Sequence, residues 1–191
     1  KMTPLPGYHG CCLKVDLSSR SCDVIEIPNE TLKNFVGGSG LGTWLLLEHC
    51  PDCVDPLAPE SPLIFAFSPL VGSPLTTSAK FAVLSKSPLT QRINDSLSSS
   101  GFAISGKKCG YDAIMIVGAA DSPTCIVVDD STVCFESADD AWGTSSSNAE
   151  QILGKRLGKG FRIAAIGPAG EKLVRYATVS HDGRHAGRGG L

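Results

Sequence analysis

The chain states one structural plan twice, and a duplicated plan commits both copies to a common fold. Cys12-Leu-Lys-Val-Asp16, a polar turn and Cys22-Asp-Val-Ile-Glu26 correspond to Cys125-Ile-Val-Val-Asp129, a turn and Cys134-Phe-Glu136. Both pairs read as β-hairpins, since short runs rich in β-branched residues flank turn formers. A helical stretch follows each hairpin. In the first copy Asn29 caps a helix over 30–36 and a second helix runs over 41–49; in the second, Ser147-Asn-Ala-Glu150 forms a capping box before 151–157. Buried strands ending at a proline come next, Leu63-Ile-Phe-Ala-Phe-Ser-Pro69 and Ile163-Ala-Ala-Ile-Gly-Pro168. The best correspondence is Lys80-Phe-Ala-Val-Leu-Ser85 against Arg175-Tyr-Ala-Thr-Val-Ser180, and each block leads into a Gly/Ser-rich loop, 94–101 or 182–190.

In the first copy that loop continues through a connector into a closing strand, Lys107 to Val117. When Gly101-Phe102 is aligned with Gly190-Leu191, the second copy has no counterpart of Ala103 to Gly118. That would leave an open strand edge, which folded proteins avoid. The expectation is a fragment of a longer polypeptide, or one completed by another element. The expected fold class is α+β: one domain over 1–191, internally duplicated, with two similar sheet or barrel-like halves carrying helices and related by a pseudo-twofold axis. The halves are placed at about 8–120 and 121–191, the second truncated.

Composition narrows the function. Hydrophobic residues make up 42% of the chain, enough for a core, and a net charge of −2 gives no overall field to hold nucleic acid or an anionic membrane. No apolar run approaches a bilayer span, so a soluble protein is expected, and cysteine usage points to the cytoplasm. The eight cysteines suit free thiols in a reducing compartment. Cys50-Pro-Asp-Cys53 reads as turn cysteines, with half a zinc site or a redox dithiol as the alternative.

An anion site must therefore be local. Glycine lets backbone N–H groups approach a ligand, and a following helix adds its positive end, so Gly37 to Gly42, Ser98 to Gly101 and the closing loop are candidates. Gly37 to Gly42 could equally be a turn between helices. Arg184 and Arg188 offer planar donor forks for phosphate or a heterocycle edge, against the alternative of solvated arginines. Lys80 opens an apolar strand beside the same cleft and could instead snorkel to solvent. His181 and His185 lack a third ligand for a metal. No nucleophile triad, paired carboxylate or P-loop is visible.

Across almost its whole length the chain resembles the aldehyde ferredoxin oxidoreductase family in its N-terminal domain. The resemblance rests on Gly10 to Leu17, Phe35-Val-Gly-Gly-Ser-Gly-Leu-Gly42, Val54 to Ala66, Lys86-Ser-Pro-Leu-Thr90, Gly110-Tyr-Asp-Ala-Ile114, Ile166-Gly-Pro-Ala-Gly-Glu171 and Ala186-Gly-Arg-Gly-Gly190. It implies a tungsten or molybdenum bis-pyranopterin cofactor with a magnesium ion between phosphates, the pterins rather than the protein ligating the metal. It further implies aldehyde oxidation to carboxylic acid, with electrons leaving through a 4Fe-4S cluster to ferredoxin. The cluster cysteines would belong to C-terminal domains absent from this chain, and a homodimeric full-length protein is compatible with it.

By the same resemblance Arg184 contacts pterin, Arg188 belongs to the same closing loop, and the backbone carbonyls of His185 and Leu97 reach magnesium. Lys80 stands where the family usually has an arginine, Ser99 replaces a glycine, and Ser39 replaces an arginine of the first glycine-rich motif. Those departures keep a second expectation open, a degenerate paralogue acting as a non-catalytic binding or assembly subunit. A generic nucleotide or phosphate binder is a weaker third.

Overall fold

The computed structural model describes residues 4–130 and 132–191. It opens with an antiparallel hairpin of β1 (Cys11–Asp16) and β2 (Ser21–Glu26). Asp16 shapes the turn, its Oδ1 accepting from the backbone N–H of Ser18 at 2.8 Å and Ser19 at 3.3 Å. Next come α1 (Asn29–Asn34) and α2 (Gly37–His49), then the meander β3 (Leu63–Phe67), β4 (Lys80–Lys86) and β5 (Ile93–Ser99). After α3 (Gly101–Lys108), strand β6 (Ala113–Val117) inserts between the hairpin and the meander, parallel to β1 and antiparallel to β3. The result is a six-stranded sheet of order β2-β1-β6-β3-β4-β5.

The rest of the chain forms two smaller sheets. β7 (Thr124–Asp129) and β8 (Thr132–Ser137) make a hairpin, and α4 (Ser146–Leu157) leads into β9 (Ala164–Ala165). The short helix α5 (Pro168–Glu171) follows, then β10 (Val179–His181) and β11 (Arg184–Ala186), which complete a three-stranded sheet of order β11-β10-β9. The chain is thus α+β, with sheets dominating and few helices.

Period-two alternation sends neighbouring residues of the large sheet to opposite cores. One face, with Cys12, Ile64, Ala66, Ala82, Leu84 and Met115, packs under α2 through Leu41 and Leu45. A glycine is required where α2 crosses the sheet: a Cβ on Gly42 would lie 2.1 Å from Leu84 Cδ1. The other face, with Leu13, Val15, Phe65, Phe67, Phe81 and Val83, meets α3 through Ala103 and the small three-stranded sheet through Val179 and Ala186. Phe67 and Phe81 are fully buried, and each such side chain contributes roughly 1.5–3 kcal/mol by leaving water.

A buried ion pair fastens the segment before β1. Asp112, with no exposed surface, accepts from Lys107 Nζ and from the backbone N–H of His9 at 3.1 Å and of Gly10 at 2.7 Å. Lys107 Nζ also lies 5.5 Å from the centre of the Tyr8 ring.

Several boundaries differ from the sequence reading. α1 starts at Asn29 and ends at Asn34, short of Val36. α2 reaches back to Gly37 across a break at Gly38 (φ 47, ψ −129), so the first glycine-rich motif is a kinked helix start. The cap of α4 is Ser145, whose hydroxyl accepts from Asn148 N at 3.2 Å, rather than Ser147. Residues 94–99 were expected as loop and are strand, because seven register pairs with β4 supply their backbone partners. The 175–180 block is extended only from Val179, and the 182–190 loop contains β11. The turn between β7 and β8 includes Ser131, outside the described residues.

Candidate functional site

The two expected loops do meet, along β5 and the β10–β11 hairpin. Three serines of edge strand β5 and its approach carry the junction. Ser96 Oγ accepts from Gly187 N at 2.7 Å, Ser98 Oγ meets His181 Nε2 at 2.7 Å, and Ser87 Oγ donates to the Gly189 carbonyl at 2.6 Å. The closing loop then turns through Gly187, Gly189 and Gly190, all at positive φ. At Gly190 (φ 91) a side chain is excluded, since a Cβ would sit 2.0 Å from the Arg175 carbonyl oxygen.

One expectation changes here. The Ser98 to Gly101 loop was to offer its backbone donors to an external phosphate and continue as a connector; it leads instead into the positive, N-terminal end of α3. In the fold, Asp182 from the second loop occupies that end of α3: its Oδ2 accepts from Phe102 N at 3.0 Å, beside the Ser100 Oγ cap at 3.1 Å. Asp182 is also paired with Arg162 Nη1 at 3.5 Å. Backbone donors of the closing loop are partly committed as well, Gly187 N to Ser96 and Gly190 N to the Gly187 carbonyl. These internal contacts take up part of the loop's backbone donors, and side chains add to what the site can offer an anion.

Between the loops lies a cavity of about 550 Å³ lined by Asp95, Leu97, Thr178, His185, Arg188 and their neighbours. Of the six candidates, Leu97, His185 and Arg188 therefore come together. Lys80 and Ser99 face each other in the β4–β5 register, two residues along β5 from Leu97 and outside that lining. Arg184 pairs with His181 across the hairpin and is exposed, also outside it. His185 is oriented by Thr178, whose hydroxyl lies 3.1 Å from Nδ1. Ser39 donates to Asp95 Oδ2 at 2.8 Å, which ties the start of α2 to the same strand.

Lys80, Arg184 and Arg188 form no ion pair among the described residues. Cations without a carboxylate of their own beside a cavity are a donor set suited to phosphate oxygens. Asp95 adds a carboxylate suited to N–H donors or a cation. The residues present thus fit a phosphate-bearing heterocyclic group. Among the described residues no cluster of three or more His, Cys, Asp or Glu could hold a metal ion. All eight cysteines are free, and burial pushes the Cys12 thiol up to about 12. Burial also pushes the His181 imidazole below its ordinary value, against the carboxylates of Asp182 and Glu150.

A family model described as aldehyde ferredoxin oxidoreductase, N-terminal domain, matches residues 12–191. The chain belongs to the aldehyde ferredoxin oxidoreductase family. It carries the family's N-terminal domain and is 40% identical over 187 residues to the tungsten-containing aldehyde ferredoxin oxidoreductases of Pyrococcus furiosus and Pyrococcus horikoshii. Those alignments cover 97% of this chain and 31% of each relative, so the chain spans about a third of their length. It is also 32% identical to the aliphatic sulfonate oxidoreductase, WOR-like subunit, of Pyrococcus furiosus, over 96% of the chain and 32% of that protein. Among solved structures, the active site complex BamBC of benzoyl coenzyme A reductase with 1,5 dienoyl-CoA superposes with a TM-score of 0.90 at 30% identity. That match covers 96% of this chain and 28% of the solved one.

Sequence reasoning missed Thr178, Asp95, His181 and Asp182 as parts of this junction. The signals were present but ambiguous, since Ser, Thr and Asp in a glycine-rich context read first as turn formers. No helix among the described residues is long and apolar enough to cross a membrane.

Proposed function

We propose that the cleft between β5 and the β10–β11 hairpin binds the phosphates and pterin edges of a tungsten or molybdenum bis-pyranopterin cofactor. The whole protein would oxidise an aldehyde to a carboxylic acid and send electrons through a 4Fe-4S cluster to ferredoxin. The observation that carries this reading is a set of cations without an ion pair among the described residues, Arg188 in the cavity lining and Lys80 and Arg184 outside it on strands β4 and β11, which border the cleft. In this reading Arg184 and Arg188 hold phosphate or pterin, and Lys80 supplies charge without an arginine's fork. The backbone carbonyls of Leu97 and His185 would hold magnesium, and Ser99 would sit on the same strand as Leu97. Bound there, the cofactor supplies the metal that takes up the substrate's electrons. The chain's own work is to bind and orient it. Cluster ligands and the substrate channel are assigned to C-terminal domains, in a cytoplasmic protein compatible with a homodimer.

The same reading treats the domain, 1–191, as duplicated, with halves at about 8–120 and 121–191 and the second incomplete. Its support is element order: hairpin, helix and meander recur as β7–β8, α4 and β9–β10–β11. In the first half β6 lies between β1 and β3. The corresponding place between β7 and β9 is an apolar groove of about 630 Å³, lined by Ile126, Val128, Ile163 and Ala165 among others.

The test is an Arg184→Ala/Arg188→Ala variant of the full-length protein. Charge-assisted hydrogen bonds are worth about 1.5–3 kcal/mol, so each arginine removed should weaken cofactor retention roughly ten- to a hundredfold. Released pterin and bound tungsten or molybdenum are measured after gel filtration. Unchanged content in the double variant would sink the assignment.

A second reading, a non-catalytic binding or assembly subunit, is favoured by the Ser39–Asp95 hydrogen bond where the family often has an arginine. It predicts protein without metal or pterin, and no recovery of either in Ser39→Arg/Lys80→Arg.

A further inference from the structure

His181 is almost wholly enclosed at the junction, with 1% of its surface exposed. Both ring nitrogens have hydroxyl partners on the opposite loop: Nε2 lies 2.7 Å from Ser98 Oγ and Nδ1 2.9 Å from Ser100 Oγ. The ring edge rests on Phe81 with centroids 4.9 Å apart, and Phe102 lies 6.4 Å away. Ser100 Oγ additionally takes the Phe102 N–H that starts α3. One imidazole therefore joins the end of β5, the cap of α3 and strand β10.

The hairpin it holds has little support of its own. β10 makes two register pairs with β9 and three with β11. Sheets this small are marginal without packing against something larger. In that register His181 lies opposite Arg184 and Ser180 opposite His185. Ser180 itself donates to Glu150 of α4, and Gly187 at the far end is tied to Ser96. The hairpin is thus pinned on β5 at both ends, and His181 is the pin nearest Arg184.

We propose that His181 is a positioning residue whose two hydroxyl contacts lock the β10–β11 hairpin onto β5, fixing Arg184 and His185 relative to the cofactor cleft. It touches neither the cavity nor a reacting group; it acts through the backbone of its neighbours. The functional half of the statement rests on the cofactor reading above, while the lock itself does not.

The experiment compares His181→Phe with His181→Gln in the full-length protein by hydrogen exchange, alongside tungsten, molybdenum and pterin content. Phe preserves the aromatic packing and deletes both polar contacts; Gln sacrifices packing and keeps a hydrogen-bonding end. With two hydrogen bonds lost, peptides over 178–190 and 98–106 should exchange about tenfold faster or more in His181→Phe, with peptides over 11–16 and 63–67 unchanged. Cofactor content should fall with them, and His181→Gln should stay closer to wild type. A merely structural core aromatic would show the reverse order, so Phe equal to wild type or better than Gln overturns the proposal. Should His181→Phe fail to fold, Ser98→Ala/Ser100→Ala leaves the ring and its packing in place. Faster exchange over 178–190 then supports the lock, and unchanged exchange overturns it. Wild-type protein containing neither metal nor pterin would defeat the cofactor reading, while the exchange comparison still decides the lock.

Discussion

Replacing Asp112 by alanine should be among the most damaging single changes outside the site. The carboxylate has no exposed surface and accepts from Lys107 Nζ, His9 N and Gly10 N. Its removal strands the ammonium of Lys107, itself 7% exposed, and leaves two amides without an acceptor. Breaking a buried pair from one side costs about 3–5 kcal/mol, and the orphaned amides push towards the upper end. With a urea m-value near 2 kcal/mol/M, the midpoint should fall by about 1.5–2.5 M. The assay is urea unfolding followed by the fluorescence of Trp44 and Trp142, with Asp121→Ala as the exposed control expected within about 0.5 kcal/mol. Lys107→Met/Asp112→Leu removes the stranded charge but not the amide loss, so it should fall between. A midpoint for Asp112→Ala indistinguishable from the Asp121 control would refute the reasoning.

Gly106→Ala would place a Cβ 2.3 Å from Phe67 Cζ. Overpacking of about 1–3 kcal/mol then exceeds the gain of about 1 kcal/mol from better helix propensity, and the same urea assay should show a net loss. In a thiol-labelling time course near pH 8, the exposed Cys53 and Cys134 should react early. Cys12, fully buried with a thiol pushed up to about 12, should stay unmodified until the protein unfolds. The depressed His181 has a defined sign: the unfolded chain binds the proton more readily, so its contribution to stability is complete above the ordinary value of 6.5 and is lost as pH falls below it. Burial drives that shift against Asp182 and Glu150, with Arg184 and His185 acting in the same direction as burial. Urea midpoints between pH 5 and 8 should therefore slope more steeply in wild type than in His181→Phe.

The hairpins were legible because their alternation depends on local residues alone; β1–β2 and β7–β8 fall almost where Cys12 to Glu26 and Cys125 to Glu136 placed them. Edge strand β5 was not legible. Its Asn-Asp-Ser-Leu-Ser-Ser composition carries turn chemistry, and what makes it a strand is pairing with β4 and the hydroxyl contacts it gives to Gly187 and His181. Both are non-local. α3 hid behind Gly101 and Gly106, poor helix formers, although Ser100 at its start and Lys107-Lys108 in its last turn were usable signals. In the site, glycine and arginine content singled out the closing loop, and the family resemblance named Leu97 and His185, which the fold brings together with Arg188. Asp182 in the place of an external anion could not be read from sequence, because it depends on where the two loops touch.

A domain that grips a metal-bearing pterin should retain it through purification. The most direct measurement is metal and pterin analysis of the anaerobically purified full-length protein, by elemental mass spectrometry and the fluorescence of oxidised, released pterin. Tungsten or molybdenum together with pterin is expected, in constant proportion across the elution peak and reduced in Arg184→Ala/Arg188→Ala. Protein that is folded yet contains neither metal nor pterin would contradict that grip.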